Sequence, residues 1–328
     1  MSIATSTRQG WEIVVLRSEH LEVEVLPGKG GDVLGVRRLE DDLNVLWSSP
    51  WGLRPRGAFS AANESEGRLM EAYPGGWQTV FPNGGDASPA HGTVWGMHGE
   101  VWLAPFGWEP LGTNGIAMRT RLVHSPFAVA KDVHVDGSRV TISETITNCG
   151  GHPVDVMWSH HPAFGAPLLS ADSIIDVPGA TVLVDDITPP GHTDITPAAS
   201  GRWPCVAAPD GGLTDLSRLP AGTETVSRMG YLTDLAEGSI HLRNPQLGAG
   251  ALIAWDTAVM PHAWYWLECH GSPDFPWYQQ AYVLGLEPAS SYPGQGIAAA
   301  RERGTAMTVH PGDSRTATVS LTVTDGSP

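Results

Sequence analysis

The sequence predicts an all-β protein, a large antiparallel β-sandwich that forms a single domain over residues 1–328. Short segments in which apolar and polar residues alternate recur along the chain, and this period of two is typical of half-buried strands. The 39 glycines and 27 prolines are spread between these segments as turn residues. Helical periodicity over ten or more residues is nearly absent, and no internal repeat indicates a propeller.

The N-terminal part is predicted to be a meander of strands. Leu21, Val23 and Val25 alternate with polar residues, which places them on the inner face of one strand. The glycine-rich segment 27–31 follows as a turn, and it lacks the strand–GxGxxG–helix context of a dinucleotide site. The next predicted elements are strands at 32–39 and 44–47 and a short helix at 64–73.

The rest of the chain continues this pattern of short strands. Val140, Ile142 and Ile146 alternate with polar residues over 139–148, which is the clearest case. Residues 186–225 are rich in Pro, Gly and Thr and have little periodicity, so we expect a long irregular connection or lid there. The other predicted strands lie at 115–123, 154–158, 239–242, 251–255, 262–266, 306–310 and 315–324.

Charge and composition restrict the classes of partner. The chain carries 35 acidic and 19 basic residues and a net charge of −16, which argues against nucleic acid, anionic membranes and highly anionic polymers. A single phosphate or sulfate held by a local arginine stays compatible with this charge. We expect a small-molecule ligand and a monomer or homodimer.

The cysteines and the N-terminus indicate the setting of the protein. Cys149, Cys205 and Cys269 are far apart, odd in number and form no CxxC pair, so neither a zinc site nor a disulfide framework is expected. No apolar run is long enough to cross a bilayer, and the first residues lack the apolar centre of a signal peptide. A cytoplasmic protein is therefore expected.

The segment Trp158–Gly165, with the sequence WSHHPAFG, holds the first candidate for chemistry. Neighbouring side chains of a strand point to opposite faces, so His160 and His161 are expected to enter different environments. Pro162 restrains His161 to an extended conformation and is expected to end or bend the strand. An imidazole fixed at that point suits proton transfer, and a structural histidine is the alternative.

A second segment, Tyr282–Pro293, repeats this arrangement with a carboxylate. Glu287 follows an apolar run and directly precedes Pro288, so it too is expected in an extended position at a strand end. A carboxylate beside an apolar run is partly desolvated, which makes it a better base. His161 and Glu287 therefore form a candidate acid/base pair. The alternative for Glu287 is a salt bridge at the edge of the sandwich.

Other residues are candidate sugar or ligand contacts. His98 precedes Val101 and Trp102 and is favoured over His91, which also stands before a glycine. His98, His160 and His161 are residue types that bind zinc, but the opposite faces of the last two argue against a metal site. Thirteen tryptophans include several near these segments, and an indole suits stacking on a sugar ring, with core packing as the alternative. The further candidates are Arg54, Arg56, Trp77, Gln78, Asn83, Asp256 and Trp264.

Four motifs in a fixed order resemble the aldose 1-epimerase, or galactose mutarotase-like, family. They are GGWQTVFPNGG at 75–85, MHGEVW at 97–102, HPAFG at 161–165 and LGLEP at 284–288, and the resemblance covers most of the chain. The resemblance implies a β-supersandwich that needs no cofactor and no metal. It implies that His161 is the general acid on the sugar ring oxygen, Glu287 the general base on the anomeric hydroxyl, and His98 a sugar ligand.

The resemblance is incomplete at two places. The family form HPYFN is here HPAFG, so Ala163 lacks a phenol and Gly165 lacks an amide. The substrate-binding arginine and aspartate of the family are matched only by Arg54 or Arg56 and by Asp256. The sugar is therefore open between a free, phosphorylated, sulfonated or oxidised hexose.

Two other functions fit parts of the sequence. A non-catalytic carbohydrate-binding protein on the same fold would keep the aromatic residues and His98 but would need neither His161 nor Glu287. A glycoside hydrolase would use two carboxylates, with Glu287 paired with another acidic residue, and would leave the histidines without a role.

Overall fold

The computed structural model describes residues 2–187 and 191–327, and antiparallel strands dominate it. The elements up to residue 148 are β1 (Ser2–Arg8), β2 (Trp11–Arg17), β3 (Leu21–Leu26), β4 (Asp32–Arg38), β5 (Leu43–Asn44), helix α1 (Ser65–Glu71), β6 (Trp77–Val80), β7 (Ser88–Ala90), β8 (Thr93–Trp95), a single 3-10 turn (Val101–Leu103), β9 (Gly107–Pro110), β10 (Gly115–Arg121), β11 (Phe127–Asp136) and β12 (Arg139–Asn148).

Among the described residues after 148, fourteen strands and one helix follow these elements. They are β13 (Val154–Val156), β14 (Ser159–Gly165), β15 (Ile174–Asp176), β16 (Thr181–Val184), β17 (Ser200–Arg202), β18 (Cys205–Ala207), β19 (Leu213–Asp215), β20 (Val226–Thr233), β21 (Ser239–Asn244), β22 (Ala249–Trp255), β23 (His262–Cys269), β24 (Tyr282–Ala289), helix α2 (Ile297–Arg303), β25 (Met307–Val309) and β26 (Ser314–Thr324).

Two large sheets organise these strands. One has the order β1-β2-β3-β4-β6-β14-β24-β23-β20-β16-β17, with β5 beside β4, and the other has the order β15-β21-β22-β26-β12-β11-β10-β9. The predicted large antiparallel β-sandwich is confirmed. The predicted helix at 64–73 corresponds to α1, which begins and ends within that range.

The two sheets pack face to face through aromatic and polar contacts. The rings of Phe81, after β6, and Phe127, on β11, meet edge to face with centroids 4.8 Å apart. Thr79 of β6 donates a hydrogen bond to the buried Glu144 of β12 over 2.8 Å, and Lys131 of β11 lies 3.3 Å from the same carboxylate. These contacts anchor the centre of the first sheet, where β6 and β14 are neighbours.

The predicted connection at 186–225 contains short strands. β17 extends the first sheet beyond β16, and β18 pairs with β19 in a small two-stranded sheet. Residues 188–190 lie outside the described part of the chain, and the role of the whole segment as a lid stays a prediction. Within residues 2–187 and 191–327, no helix has the length and apolar character needed to span a membrane.

The expectation that prolines end the two candidate strands is wrong. β14 continues through Pro162 to Gly165, and β24 continues through Pro288 to Ala289. Both strands are buried in the middle of the sheet, where neighbours on each side hold them extended. Proline also favours an extended conformation in the residue before it, so it is compatible with strand geometry.

Candidate active site

His161 and Glu287 lie opposite each other in neighbouring strands. In the ladder between β14 and β24, Ser159 pairs with Ala289 and Ala163 pairs with Gly285, so this register sets His161 against Glu287. The ladder has no paired residues between these two points among the described strands. Pro162 and Pro288 fall within this interval, and neither has a backbone N–H to donate. The sheet is therefore opened where the two side chains meet.

The two side chains form a close, buried pair. His161 Nε2 lies 3.3 Å from Glu287 Oε1, and both residues are at least 96% buried. Burial lowers the pKa of His161 to about 4 and raises the pKa of Glu287 well above its usual value. Both directions favour uncharged groups, so the resting pair carries one proton on the carboxyl and a neutral imidazole.

Aromatic rings surround this pair. Tyr73 and Trp102 approach the His161 ring edge to face, at centroid distances of 5.8 Å and 5.3 Å. Trp266 lies 5.8 Å from the same ring on the other side and is tilted against Trp277. These flat apolar surfaces exclude water and suit the apolar face of a sugar ring.

His98 is held beside Trp102. Its ring stacks on the indole at 4.9 Å with an interplanar angle of 7°, and its Nδ1 accepts a hydrogen bond from the Gly85 N–H. Burial, followed by the neighbouring His161, lowers the pKa of His98 well below its usual value. His98 is thus a neutral imidazole with Nε2 as its donor nitrogen.

The pair and the rings line a cavity of about 280 Å³. This volume is near the lower end of the range of small-molecule sites, which is about 300–1,000 Å³. Five acidic residues line it: Glu287 and Glu268, which are buried, and a group of three that consists of the buried Asp185 and the exposed Glu66 and Asp86. We call these last three the acidic rim.

Several polar atoms at the floor have no hydrogen-bond partner within the described residues. They are Tyr73 Oη, Trp102 Nε1, His161 Nδ1 and Glu287 Oε2. All four side chains are nearly fully buried and line the cavity. Buried polar groups are normally paired, and a ligand in the cavity would supply partners to these four atoms.

His160 enters the opposite side of the sheet, as the alternation predicted. Its Nδ1 accepts a hydrogen bond from Trp77 Nε1 over 3.2 Å, inside the sandwich. Burial lowers the pKa of His160 to about 4. It therefore lies away from His98 and His161.

Of the ten predicted site residues, the cavity brings together His98, His161, Trp264 and Glu287. Trp264 fixes its position by donating from Nε1 to the Ser291 carbonyl over 2.8 Å. These four come from distant parts of the chain, which the sheet order brings side by side.

Trp77, Gln78 and Asn83 were expected to contact substrate, but they lie in the protein interior. Trp77 bonds to His160, and the Gln78 amide donates to the Gly75 carbonyl over 2.5 Å. Asn83 bonds to the Asp86 carbonyl and accepts from the Ile297 N–H, both over 2.8 Å. None of the three lines the cavity, so Asn83 supports the loop that carries Asp86 instead.

Arg54, Arg56 and Asp256 were also expected to contact substrate, and they lie outside the cavity. Arg54 pairs with Glu71 over 3.1 Å, and Arg56 lies over the Trp11 ring at 5.6 Å. Asp256 caps a turn by accepting from the Ala258 N–H over 2.8 Å. These interactions hold the three side chains at the surface, away from the acid/base pair.

The structure adds residues that sequence reasoning missed. Tyr73 follows helix α1, whose position relative to the site depends on long-range packing. The acidic rim combines α1, the loop after Gly85 and the end of β16, and no local motif marks these residues together. Gly285 carried a usable signal, since it stands two residues before Glu287 and therefore faces the same side of β24.

The structure explains why Ala163 and Gly165 stand where the family form HPYFN has tyrosine and asparagine. A Cβ on Gly165 would lie 2.4 Å from the Trp47 ring, and the Trp47 N–H donates to the Ala163 carbonyl over 2.8 Å. Trp47 packs with Tyr73 and Trp277 in the cluster that includes Ala163. The Trp47 side chain therefore occupies the space beside Ala163 and Gly165, the two residues that differ from the HPYFN form.

Comparisons with known proteins agree with this fold. The family described as a domain of unknown function (DUF4432) matches residues 8–323. The Slr1438 protein of Synechocystis sp. PCC 6803 is similar in structure, with 16% identity, a TM-score of 0.70 and coverage of 95% of this chain and 96% of that one. A galactose mutarotase-like protein from Clostridium acetobutylicum has 9% identity, a TM-score of 0.68 and coverage of 98% of both chains.

A GalM/aldose epimerase homologue from C. elegans is also similar, with 15% identity, a TM-score of 0.61 and coverage of 99% of this chain and 100% of that one. No curated protein matches the chain by sequence. At these identities the similarity shows a shared galactose mutarotase-like fold, so function has to be argued from the cavity itself.

Proposed function

This chain belongs to the DUF4432 family, and from the geometry of its cavity we propose that it is an aldose 1-epimerase, which interconverts the α and β anomers of a cyclic aldose. One observation carries the proposal: a histidine and a glutamate lie 3.3 Å apart at the floor of an aromatic cavity. The order of the four sequence motifs supports the same conclusion.

The reaction needs one proton removed and one proton delivered. Glu287 takes the proton of the anomeric hydroxyl, and His161 protonates the ring oxygen as the bond between that oxygen and C1 breaks. The product is the open-chain aldehyde, which rotates about its C1–C2 bond and closes on its other face by the reverse steps. Acid/base transfer and positioning are each recognised contributions to rate.

The buried pair holds the one proton that this cycle requires. In the resting protein it lies on Glu287, because burial disfavours both charges. Its transfer across 3.3 Å to His161 Nε2 gives the carboxylate and imidazolium used in the reaction. Sugar hydroxyls at the floor stabilise that charged form by hydrogen bonding.

Two alternatives find less support in the cavity. A glycoside hydrolase requires a second working carboxylate. The nearest candidate by sheet position, Glu268, already accepts hydrogen bonds from Ser227 and Ser272. A carbohydrate-binding protein would use the same aromatic walls, but it would not require the His161–Glu287 pair.

The test measures anomer exchange by NMR across a panel of aldoses. We expect the wild type to accelerate exchange of at least one sugar, and His161→Gln and Glu287→Gln to lower that acceleration by about 10²–10⁴-fold. Each substitution replaces a titratable group by a polar amide that cannot titrate, and in Glu287→Gln the amide also keeps the shape of the carboxyl, so the fold is expected to persist.

Matched control variants distinguish the loss of anomer exchange at these two residues from a general effect of replacing a histidine or a glutamate. His124→Gln and Glu109→Gln change the same residue types at exposed positions outside the cavity and should keep wild-type rates. Sugar binding without any acceleration would favour the carbohydrate-binding protein. Full activity of Glu287→Gln would remove Glu287 as the base.

A further inference from the structure

The charge of the cavity is entirely acidic. Among the described residues that line it, none is arginine or lysine, and five are aspartate or glutamate. Residues 188–190, which follow Ile187 in the chain, contain no basic residue either. Arg54 and Arg56, the arginines expected to hold an anionic sugar, are engaged elsewhere.

The acidic rim is itself poorly compensated. Glu66 and Asp86 are exposed at the opening, and within the described chain no hydrogen bond or ion pair reaches either carboxylate. Asp185 lies deeper and accepts from Tyr231 Oη and Gln295 Nε2. Burial first, and then the neighbouring carboxylates, raise the pKa of Asp86 and Glu66. These charges therefore lie near one another without a cation between them.

A ligand is independently indicated below the rim. Tyr73 Oη, Trp102 Nε1 and Glu287 Oε2 are buried, line the cavity and have no partner in the described residues. A sugar whose anomeric carbon lies at His161 and Glu287 would satisfy these floor groups. Its opposite side would then lie toward Glu66, Asp86 and Asp185.

We propose that the acidic rim selects the charge of the sugar, so that aldoses with a protonated amino group are preferred to uncharged aldoses and both are preferred to phosphorylated or oxidised ones. This inference rests on the proposed function, since it concerns the same cavity. It assigns Glu66, Asp86 and Asp185 as specificity-determining residues that leave the chemistry at His161 and Glu287 unchanged.

The physical reason is the electrostatic field of the rim carboxylates, of which Glu66 and Asp86 have no partner in the described chain, in a cleft with apolar walls. Such a cleft concentrates ligands of the opposite charge and repels those of the same sign. An ammonium group also gains from the indole of Trp264, which lines the cavity, since cations are attracted to aromatic faces. An anionic substituent would meet the rim with no basic partner in the described lining.

The experiment compares sugars that differ at one carbon. Anomer exchange is measured by NMR for 6-amino-6-deoxyglucose, glucose, glucose 6-phosphate and glucuronic acid, and for the matching galactose series, with the uncatalysed rate subtracted. We expect kcat/KM to be at least threefold higher for the amino sugar than for its parent and at least tenfold lower for both anions. Added salt should reduce these ratios.

Variants assign the effect to the rim. Glu66→Gln with Asp86→Asn should lower the ratio of kcat/KM for the amino sugar to kcat/KM for the phosphorylated sugar by tenfold or more. Glu109→Gln, which removes a carboxylate that does not line the cavity, should leave the ratio at its wild-type value.

The outcomes separate the two proposals. If an anionic sugar is turned over as well as its parent, or if the rim variants keep the wild-type ratio, the charge selection is overturned and the epimerase proposal stands. If the amino sugar has no advantage over its parent, the proposed order is also wrong. If no sugar exchanges faster with the protein, the epimerase proposal fails, and the charge selection fails with it.

Discussion

Burial gives Glu287 a protonation state opposite to that of the free side chain and keeps His161 neutral. In water at neutral pH the glutamate would be charged and the imidazole largely neutral, and burial makes both groups neutral. The pair therefore behaves as one unit with one transferable proton. Its titration belongs to the pair rather than to either residue.

The first prediction concerns the pH profile of catalysis. Below about pH 4 the pair gains a second proton at His161 and loses its base, so the rate should fall. At high pH the rate should fall only when Glu287 loses its proton, which burial delays well beyond the usual carboxyl range. Anomer exchange measured from pH 4.5 to 9 should therefore stay high above pH 7.

A pair with ordinary pKa values would behave differently. Its singly protonated form would exist only between about pH 4.3 and 6.5, so the rate would decline through neutral pH. A decline centred near pH 6.5 would contradict the assignment. His124→Gln serves as the control, since it removes an exposed imidazole that does not line the cavity.

At the level of single residues the sequence located the histidine and the glutamate that meet in the cavity, but not most of the residues around them. His161 and Glu287 could be found because each follows an apolar strand segment and precedes a proline. Arg54 and Asp256 could not be excluded, because their ion pair and turn cap depend on the folded surface. The acidic rim could not be predicted from the sequence, because its three residues lie far apart in the chain.

At the level of elements, the gap between β14 and β24 builds the site. The two strands are paired before and after His161 and Glu287 but not at these residues. In this interval Pro162 and Pro288 each lack the backbone N–H that a strand ladder needs. Gly285 lies two residues before Glu287 on the same face. A Cβ at this position would stand 2.7 Å from Glu287 Oε1, so only glycine leaves room for the carboxylate.

The corresponding prediction is that Gly285→Ala displaces Glu287 from His161. We expect kcat to fall by about 10–100-fold, because a shift of about 1 Å in a catalytic group is enough for such a loss. The strand itself should remain, because alanine is compatible with extended backbone. Steady-state anomer exchange and far-UV circular dichroism measure the two effects.

Gly107→Ala is the matched control for this variant. Gly107 also lies in a strand, β9, and a Cβ there would meet no atom within 4 Å. Its activity should equal that of the wild type. Equal activity of Gly285→Ala would show that the position of Glu287 does not depend on the glycine.

At the level of the whole molecule, several buried groups link stability to pH. His160 has its pKa lowered to about 4 by burial, so between pH 6.5 and 4 the unfolded chain binds a proton there that the folded protein does not. That difference lowers the free energy of unfolding as the pH falls. Glu287 acts in the opposite direction, since its raised pKa makes the folded protein bind the extra proton and lose stability as the pH rises.

We therefore predict that two variants differ from wild type in the pH dependence of their unfolding free energy, and that the two differences have opposite directions with pH. For His160→Gln, the free energy of unfolding of the variant minus that of wild type should rise by about 3 kcal/mol as the pH is lowered from 6.5 to 4. For Glu287→Gln, the same difference should rise as the pH is raised above the ordinary carboxyl range. Urea unfolding followed by tryptophan fluorescence at a series of pH values measures both, and differences that do not vary with pH would contradict the linkage.

The overall architecture was predictable because strand periodicity and turn residues repeat over the whole chain. Val140, Ile142 and Ile146 alternate as one buried face of β12, as the sequence indicated. The order of strands was not predictable in this way, because β6, β14 and β24 are neighbours through long connections. That order is what brings His161 to Glu287.

The adjacent histidines of β14 have a consequence for how the strand finds its place. A slip of one residue would exchange the faces of His160 and His161, and each side of the sheet would still receive an imidazole. Because all of β14 is buried, the two histidines alone do not oppose such an error. What opposes it is Phe164, which packs in the core between the sheets, together with Ala163 and Gly165, which leave room for the Trp47 indole on the other face. Which histidine faces Glu287 is thus decided by neighbouring residues that have no acid/base chemistry of their own.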